Sequence, residues 1–178
     1  MATYSDLLTR IRAEMIRDDL NEGEALETQL GIHVARACEF YADTKFWFNS
    51  LVTSAATAPN TADMTIPVTM RVIERVTVPV YHRELREVQL KGLDDYAVYS
   101  LPSEYAYYNN LIRFYPIPDQ AYTLNFYGIA QVAAPTVAAD SSIWTNEAQD
   151  LICARVKKNL YRAQFRDPEG AALAETEE

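Results

Sequence analysis

Apolar side chains near the start of the chain recur every three or four residues, which is the period of a helix with one buried face. Leu7 and Ile11 begin one such stripe, and a second stripe covers about residues 24–43. A polar stretch at residues 18–23 separates the two stripes and is typical of a turn. The pattern therefore predicts two helices within residues 1–45.

The hydrophobic pattern changes between residues 46 and 132, where β-branched and aromatic residues become frequent and six of the eight prolines lie. Asn109-Asn110 is a favourable two-residue hairpin turn, because asparagine tolerates a positive φ angle. Strands are predicted around this turn and after the next one, over residues 104–108, 111–115 and 121–129. The other predictions for this stretch are a loop over 54–63, a strand over 70–80 and a short helix over 83–93.

Helical spacing returns after a loop that covers residues 133–142. We predict a closing helix over residues 143–166, with Thr145 as its N-cap. Residues 167–178 are acidic and few, so we expect no regular structure there. The predicted fold class is α+β, with a helical core of two N-terminal helices and a C-terminal helix. A β-rich insertion over 46–132, containing an antiparallel hairpin or meander, interrupts this core.

Composition narrows the class of protein without identifying it. The 178 residues carry a formal net charge of −9, which disfavours a protein that coats nucleic acid, because phosphate binding needs lysine and arginine. No apolar run approaches the ~20 residues that span a bilayer, so no membrane partner is expected. Two cysteines are too few for a disulfide framework, and both are expected to pack as small apolar side chains. These features indicate a soluble chain that is made and assembled inside a cell.

Candidate catalytic and metal-binding residues are few. His33 and Cys38 lie about 140° apart around a helix, so they cannot grip one metal ion together. A calcium loop that starts at Asp19 fails, because its sixth position is Glu24 and its twelfth is Leu30. The sequence has no motif for a nucleophilic serine, a dinucleotide, a phosphate loop or a zinc protease. We therefore predict no catalytic residue, no metal site and no cofactor, and interpret the chain as a non-enzyme.

Charge and tyrosine patterns suggest a role in assembly. Basic residues crowd the closing helix, and every charged residue after Arg166 is acidic. The helix dipole and a solvated chain end explain this bias in one interpretation. In the other, a basic surface and an acidic peptide are used in assembly. Eight tyrosines also lie between residues 96 and 127 of the β-rich stretch, and strand alternation cannot bury all of them. They indicate either an interface or the ordinary preference of tyrosine for strands.

Three stretches of the sequence resemble a known family. The first is His33–Phe40 leading to Phe46–Asn49, which is a second helix with an aromatic exit. The second is Pro102–Ala106 followed by Ile112–Asp119, which forms the predicted hairpin. The third is Trp144 ahead of the closing helix. In this order the stretches resemble the head–tail adaptor, or connector, proteins of tailed double-stranded DNA bacteriophages.

The resemblance implies a structural protein of the virion neck. Such adaptors form a ring, generally twelvefold, from adjacent copies of themselves. The ring lies below the portal protein and joins the capsid to the tail. Viral DNA passes through its channel without sequence-specific binding, and the next tail or nozzle protein binds on the other side. Two alternatives stay open: another phage ring component, such as a tail terminator or tail tube, and a small α+β enzyme or ligand-binding domain.

The resemblance also suggests where the contacts lie. The C-terminal segment of such adaptors docks on the portal, and we expect it to be disordered before docking. In this sequence the segment includes Arg166, Asp167, Pro168, Glu169, Ala171, Leu173 and Glu175. Ring or tail-side contacts are expected from hairpin tyrosines and from basic side chains of the closing helix. These are Tyr105, Tyr107, Tyr108, Tyr115, Tyr122, Tyr127, Arg155, Lys158 and Arg162.

Overall fold

The computed structural model describes residues 1–15, 24–90 and 98–178, and their side chains apart from those of residues 24–27, 164 and 165. The predicted turn and the candidate calcium loop at residues 18–23 lie outside the described residues. The chain forms two compact units. The helical unit combines Met1–Thr44 with Val132–Glu178, and the β unit comprises Lys45–Gln131. Helices and strands are both present, which confirms the predicted α+β class.

Within the described residues, the helical unit has two α-helices before the β unit and three after it, and a π-helical turn (Tyr161–Phe165) joins the last two. The α-helices are α1 (Tyr4–Glu14), α2 (Glu24–Tyr41), α3 (Ile143–Asn146), α4 (Gln149–Leu160) and α5 (Pro168–Glu177). Thr3 begins α1 through a capping box, since its hydroxyl accepts a hydrogen bond from the Asp6 amide and the Asp6 carboxylate accepts one from the Thr3 amide. Helix α4 packs on both α1 and α2. Side chains at helical spacing fill the core of this unit: Leu7, Ile11, Leu30, Val34, Ile152, Val156 and Leu160.

The β unit is built on a seven-stranded sheet in the order β1-β7-β3-β4-β5-β6-β2. The strands are β1 (Ser50–Ala56), β2 (Asp63–Thr65), β3 (Met70–Val78), β4 (Arg83–Glu87), β5 (Glu104–Tyr108), β6 (Leu111–Tyr115) and β7 (Thr123–Ala130). Strands β4 and β5 pair in parallel, whereas the other described pairs are antiparallel. One face of the sheet carries a cluster of buried apolar side chains that includes Val76, Leu85, Tyr105, Ile112, Phe114, Leu124 and Phe126.

Strands β3 and β7 pair through two register shifts, one between Met70 and Val72 and one between Ile73 and Arg75. Gly128 of β7 lies opposite Ile73, between these irregularities. A Cβ atom at position 128 would lie 2.0 Å from the Val72 carbonyl oxygen. Only glycine lets the two backbones approach this closely, which is a common reason for glycine inside a strand.

The hairpin of β5 and β6 agrees with the sequence prediction. Asn109 and Asn110 form its turn with φ angles of 44° and 61°, in the left-handed region that asparagine tolerates. Tyr108 pairs with Leu111 directly across the turn. The strand predicted over 121–129 is also present, as β7.

Several local predictions are wrong. The predicted helix over 83–93 begins as strand β4, in which only Leu85 is buried, and residues 91–93 lie outside the described part. The predicted loop over 54–63 starts too early, because β1 continues to Ala56. Thr145 does not cap the long closing helix, which begins at Gln149.

Thr145 instead lies fully buried in the short helix α3. Its hydroxyl accepts a hydrogen bond from the Ser142 amide at 3.0 Å and donates one to the Ala2 carbonyl at 2.9 Å. It therefore ties α3 to the start of the chain, and the capping signal that it carries belongs to a different helix.

Candidate assembly site on the last two helices

The acidic tail forms helix α5, so the expectation that it lacks regular structure is wrong. Asp167 is the N-cap, and its carboxylate accepts a hydrogen bond from the Gly170 amide at 3.0 Å. Pro168 occupies the first turn, where its missing amide hydrogen costs nothing. Arg166 links α5 to the helical turns before it with a φ angle of 50°. This left-handed residue reverses the chain and lays α5 against α4.

Lysine side chains of α4 hold α5 through ion pairs. Lys157 contacts the Glu177 carboxylate of α5 and, at 3.0 Å, the Glu14 carboxylate of α1. Lys158 contacts Glu175 at 2.7 Å. These contacts raise the pKa of both lysines, against the effect of burial in the case of Lys157. Hydrogen bonds from Lys158 lower the pKa of Glu175. The attraction is therefore mutual, and it operates when the carboxyl groups are ionised.

Three donors meet at the Glu178 carboxylate. The Tyr41 hydroxyl of α2 donates to one oxygen, which Arg155 also contacts at 2.8 Å, and Lys158 contacts the other oxygen at 3.1 Å. Burial opposes ionisation of Glu178, but the three donors together lower its pKa. The pKa of Tyr41 rises through burial and through donation to Glu178. We call Tyr41, Arg155 and Lys158 the carboxylate clamp.

The arginine of the clamp is positioned by an aromatic ring. The Arg155 guanidinium lies 3.5 Å from the centre of the Phe40 ring, a cation–π contact. Phe40 itself is 56% exposed. The Arg155 Nε atom is buried without a hydrogen-bond partner among the described residues. The orientation of the Arg155 side chain is therefore set by the Phe40 ring on one side and by the Glu178 carboxylate on the other.

Apolar burial contributes little to holding α5. Ala174 is its buried residue, while Leu173 is 67% exposed. A cavity of about 70 Å³ lies between α5 and α4, lined in part by Tyr161 and Leu173. Helices in globular proteins are usually held by a broad apolar stripe. The ion pairs are therefore the main attachment of α5.

The structure brings the sequence-predicted portal-docking residues together on one short segment. Arg166 and Asp167 form the bend, Pro168 and Glu169 the first turn, and Leu173 points into solvent. The other two predicted docking residues are Ala171, which is half-buried, and Glu175, which contacts Lys158.

Sequence reasoning missed the partners of the tail, although it noted both charge biases. Tyr41, which donates to Glu178 of the tail, precedes α4 by more than a hundred residues, and no local pattern marks it as a partner of the tail. The basic run on α4 followed by an acidic tail was the available signal. It indicates that the two helices attract each other within one chain.

The predicted interface tyrosines occupy different environments. Tyr105 and Tyr122 are only 2% and 7% exposed and belong to the core of the β unit, so their side chains are not part of its surface. Tyr107 packs edge-to-face on Tyr105, with a ring separation of 5.4 Å, and burial raises its pKa. Tyr108 accepts a hydrogen bond from Arg113 at 3.2 Å.

The remaining predicted contact residues are accessible in part. Tyr115 and Tyr127 are half-buried, and the Arg75 guanidinium lies 4.2 Å from the centre of the Tyr127 ring. Arg162 is exposed, whereas Arg155 and Lys158 are engaged by α5 of the same chain. An interface made by the partly exposed tyrosines and Arg162 stays a prediction.

Groups suited to metal or covalent chemistry are not gathered in one place. The described residues contain no cluster of three or more metal-ligating side chains. Cys38 and Cys153 are buried free thiols, and burial raises the pKa of each to about 12. His33 is buried, and burial lowers its pKa. No helix in the described part of the chain is long and apolar enough to span a bilayer.

Comparison with known proteins identifies the class of protein to which the chain belongs. A family model described as SU10 adaptor protein matches residues 2–178, so this is a structural adaptor protein of a bacteriophage, a class that is typically non-enzymatic. Such an adaptor is a component of the virion and interacts with other virion proteins. The chain belongs to the SU10 adaptor protein family. No curated protein matches it.

Proposed function

We propose that this protein is the head–tail adaptor of a phage neck. Adjacent copies form a ring, generally twelvefold in proteins of this kind, below the portal protein. The ring joins the capsid to the tail, and DNA passes through its channel without sequence-specific binding. The observation that carries the proposal is the match of one adaptor family model to residues 2–178, which cover all but the first residue of the given sequence.

The tail helix α5 is the segment that we assign to the portal. It presents exposed Leu173 and Glu169 and follows a bend at Arg166. Its attachment to the rest of the chain consists mainly of ion pairs, which a charged partner surface can exchange at low cost. An adaptor needs such a segment, because it must bind the portal after both proteins have folded.

The β unit is assigned to ring-exterior contacts or to the next tail or nozzle protein. Its hairpin carries half-buried Tyr107 and Tyr108 on one strand and Tyr115 on the other. Tyrosine is enriched at protein interfaces, where its ring provides contact area with little loss of side-chain entropy. The net charge of −9 suits a DNA channel, since like charges keep the DNA from sticking to the wall.

The deciding experiment measures the mass of the assembled particle by light scattering. The purified chain is measured alone and after mixing with the portal protein of its own phage. A stoichiometric ring on the portal is the expected result. A chain that remains a monomer or dimer and does not bind the portal would refute the head–tail assignment.

A truncated chain tests whether the tail makes the contact with the portal. Deleting Ala171–Glu178 removes most of α5 and leaves the core of the helical unit in place. We expect an unchanged near-ultraviolet circular dichroism signal from buried Trp144 and weaker attachment to the portal. Equal attachment by the full and truncated chains would show that another surface binds the portal.

A further inference from the structure

The clamp residues come from two helices and converge on one carboxylate. Tyr41 belongs to α2, while Arg155 and Lys158 belong to α4. The Glu178 side chain seated between them is only 15% exposed, although it lies at the end of the described chain. Three donors on one carboxylate are more than a solvated chain end needs. They form a binding site for an acidic side chain, and the protein's own tail fills it.

We propose that the carboxylate clamp is a binding site for an acidic helix, which α5 occupies before assembly and must leave to dock on the portal. This inference rests on the proposed function in assigning the tail to the portal. The clamped helix has its Glu175, Glu177 and Glu178 carboxylates engaged by α4 and α2. A partner that binds the acidic side of α5 must therefore compete with the clamp.

The geometry favours a releasable contact over a permanent one. Helix α5 buries Ala174 and little else, so releasing it exposes little apolar surface. The segment that joins α5 to α4 ends at Arg166, a non-glycine residue with a positive φ angle. The backbone strain at Arg166 is relieved if the bend opens. Helix α4 keeps Lys157 paired with Glu14 of α1 after release, so the basic face retains one internal partner.

The test changes the clamp and leaves the tail sequence intact. Tyr41→Phe removes one hydroxyl, and Lys158→Met removes one ammonium group while keeping a long side chain. Arg36→Met is the matched control, since Arg36 is an exposed basic residue of α2 and forms no ion pair with α5 among the described residues. Hydrogen exchange of the α5 amides is measured in the full chain for the wild type, the double variant and the control.

We expect exchange in α5 to become roughly tenfold to a hundredfold faster in the double variant, because three hydrogen bonds to the Glu175 and Glu178 carboxylates are lost. Exchange in the core helices α1 and α2 should not change. The control should exchange like the wild type. Equal exchange of α5 in the double variant and the wild type would refute the proposal that the clamp holds α5.

Portal binding by the same three proteins tests the competition. Release from the clamp should strengthen binding to the portal, on the order of tenfold, since the tail no longer has to leave an internal site. Faster exchange of α5 in the double variant together with unchanged or weaker portal binding would refute the proposal that the clamp and the portal compete for α5. If none of the three proteins binds the portal, the proposed function fails instead, and the exchange measurement still decides whether the clamp exists.

Discussion

Gly128→Ala gives the sharpest test of the sheet, because the structure fixes what the added methyl group meets. The new Cβ would lie 2.0 Å from the Val72 carbonyl oxygen and 3.0 Å from the Ile73 Cα atom. Carbon and oxygen atoms in sheets normally approach to about 3.3 Å. Strand β3 must therefore move by more than one ångström, and the obstacle is backbone, which cannot rotate away as a side chain can.

The cost follows from what moves with strand β3. This strand carries Val76 and Val78, which are fully or almost fully buried, and it pairs with both β7 and β4. Inserting one methylene into a packed core typically costs about 1–3 kcal/mol. With a backbone obstacle we expect the upper end, a loss of about 3 kcal/mol in the free energy of unfolding of the β unit.

Gly31→Ala in α2 is the matched control. Its added Cβ would meet the Tyr4 hydroxyl oxygen at 3.0 Å, which is the far end of a flexible side chain. Alanine also favours a helix over glycine by about 1 kcal/mol. We therefore expect a net change within about 1 kcal/mol. Both variants are unfolded in urea in a Trp47→Phe background. Near-ultraviolet circular dichroism of buried Tyr105 and Tyr122 reports on the β unit, and the fluorescence of buried Trp144 reports on the helical unit.

A loss below about 1 kcal/mol in the Gly128 variant, with an unchanged circular dichroism spectrum, would refute the reasoning. It would mean that β3 and β7 separate at the register shifts without disturbing the core. A larger loss in the Gly31 variant than in the Gly128 variant would refute it as well.

Three further predictions concern the titration of the tail carboxylates, the reactivity of the two thiols and the hydrogen bond between Phe46 and Asn49. Partners in α4 and α2 lower the pKa of Glu175 and Glu178, so their stabilising effect is present above the ordinary carboxyl pKa of 4.5 and is lost as pH falls below it. The protection factor of the α5 amides, which is their exchange relative to an unstructured peptide at the same pH, should therefore fall there. Cys38 and Cys153 should resist a thiol reagent at pH 8 until the protein unfolds, because both are buried. Asn49→Ala should cost about 1–3 kcal/mol, since the Asn49 side chain accepts a 2.7 Å hydrogen bond from the Phe46 amide.

Each of these predictions has a result that contradicts it. A protection factor of α5 that is the same at pH 7 and pH 3.5, while α1 stays protected, would argue against ionic attachment. Modification of either thiol in the native chain at the rate seen in urea would show that the cysteine is accessible. An Asn49→Ala variant with unchanged stability to urea would show that water replaces the lost acceptor.

Local chemistry was enough to predict α1 and the hairpin. The capping pair of Thr3 and Asp6 lies three residues apart, and the turn at Asn109 and Asn110 needs only the backbone preference of asparagine. Both signals act within a few residues, so the sequence displays them directly. The same holds for the tail, where Asp167 before a proline and an alanine-rich run was a helix signal that acidity obscured.

Strand β4 shows why other elements could not be predicted. Its sequence, Arg83–Glu87, suits a helix, because acidic and basic side chains three or four residues apart stabilise one. It becomes a strand because Leu85 pairs with Val76 of β3, while Arg86 and Glu87 pair in parallel with β5. Strand β3 ends at Val78, shortly before β4, whereas β5 begins only at Glu104. Pairing with both strands overrides the local preference for a helix.

The carboxylate clamp was unpredictable for the same reason. Tyr41 and Glu178 are separated by 137 positions, and they meet only because α2 and α5 both pack on α4. The charge pattern suggested two readings of the basic helix and the acidic tail, a solvated end or an assembly surface. It contained no information on where the Tyr41 hydroxyl would lie.

The discontinuity of the helical unit has a consequence for biosynthesis. A chain leaves the ribosome from its N-terminus, and complete domains fold as they emerge. The β unit is complete once Gln131 has emerged, whereas α1 and α2 still lack α4, whose Ile152 and Val156 complete their core. The apolar faces of α1 and α2 are therefore unpaired for longest during translation. The inserted unit is therefore completed before the unit that surrounds it, and the acidic helix α5 can reach its place only after α4 has been made.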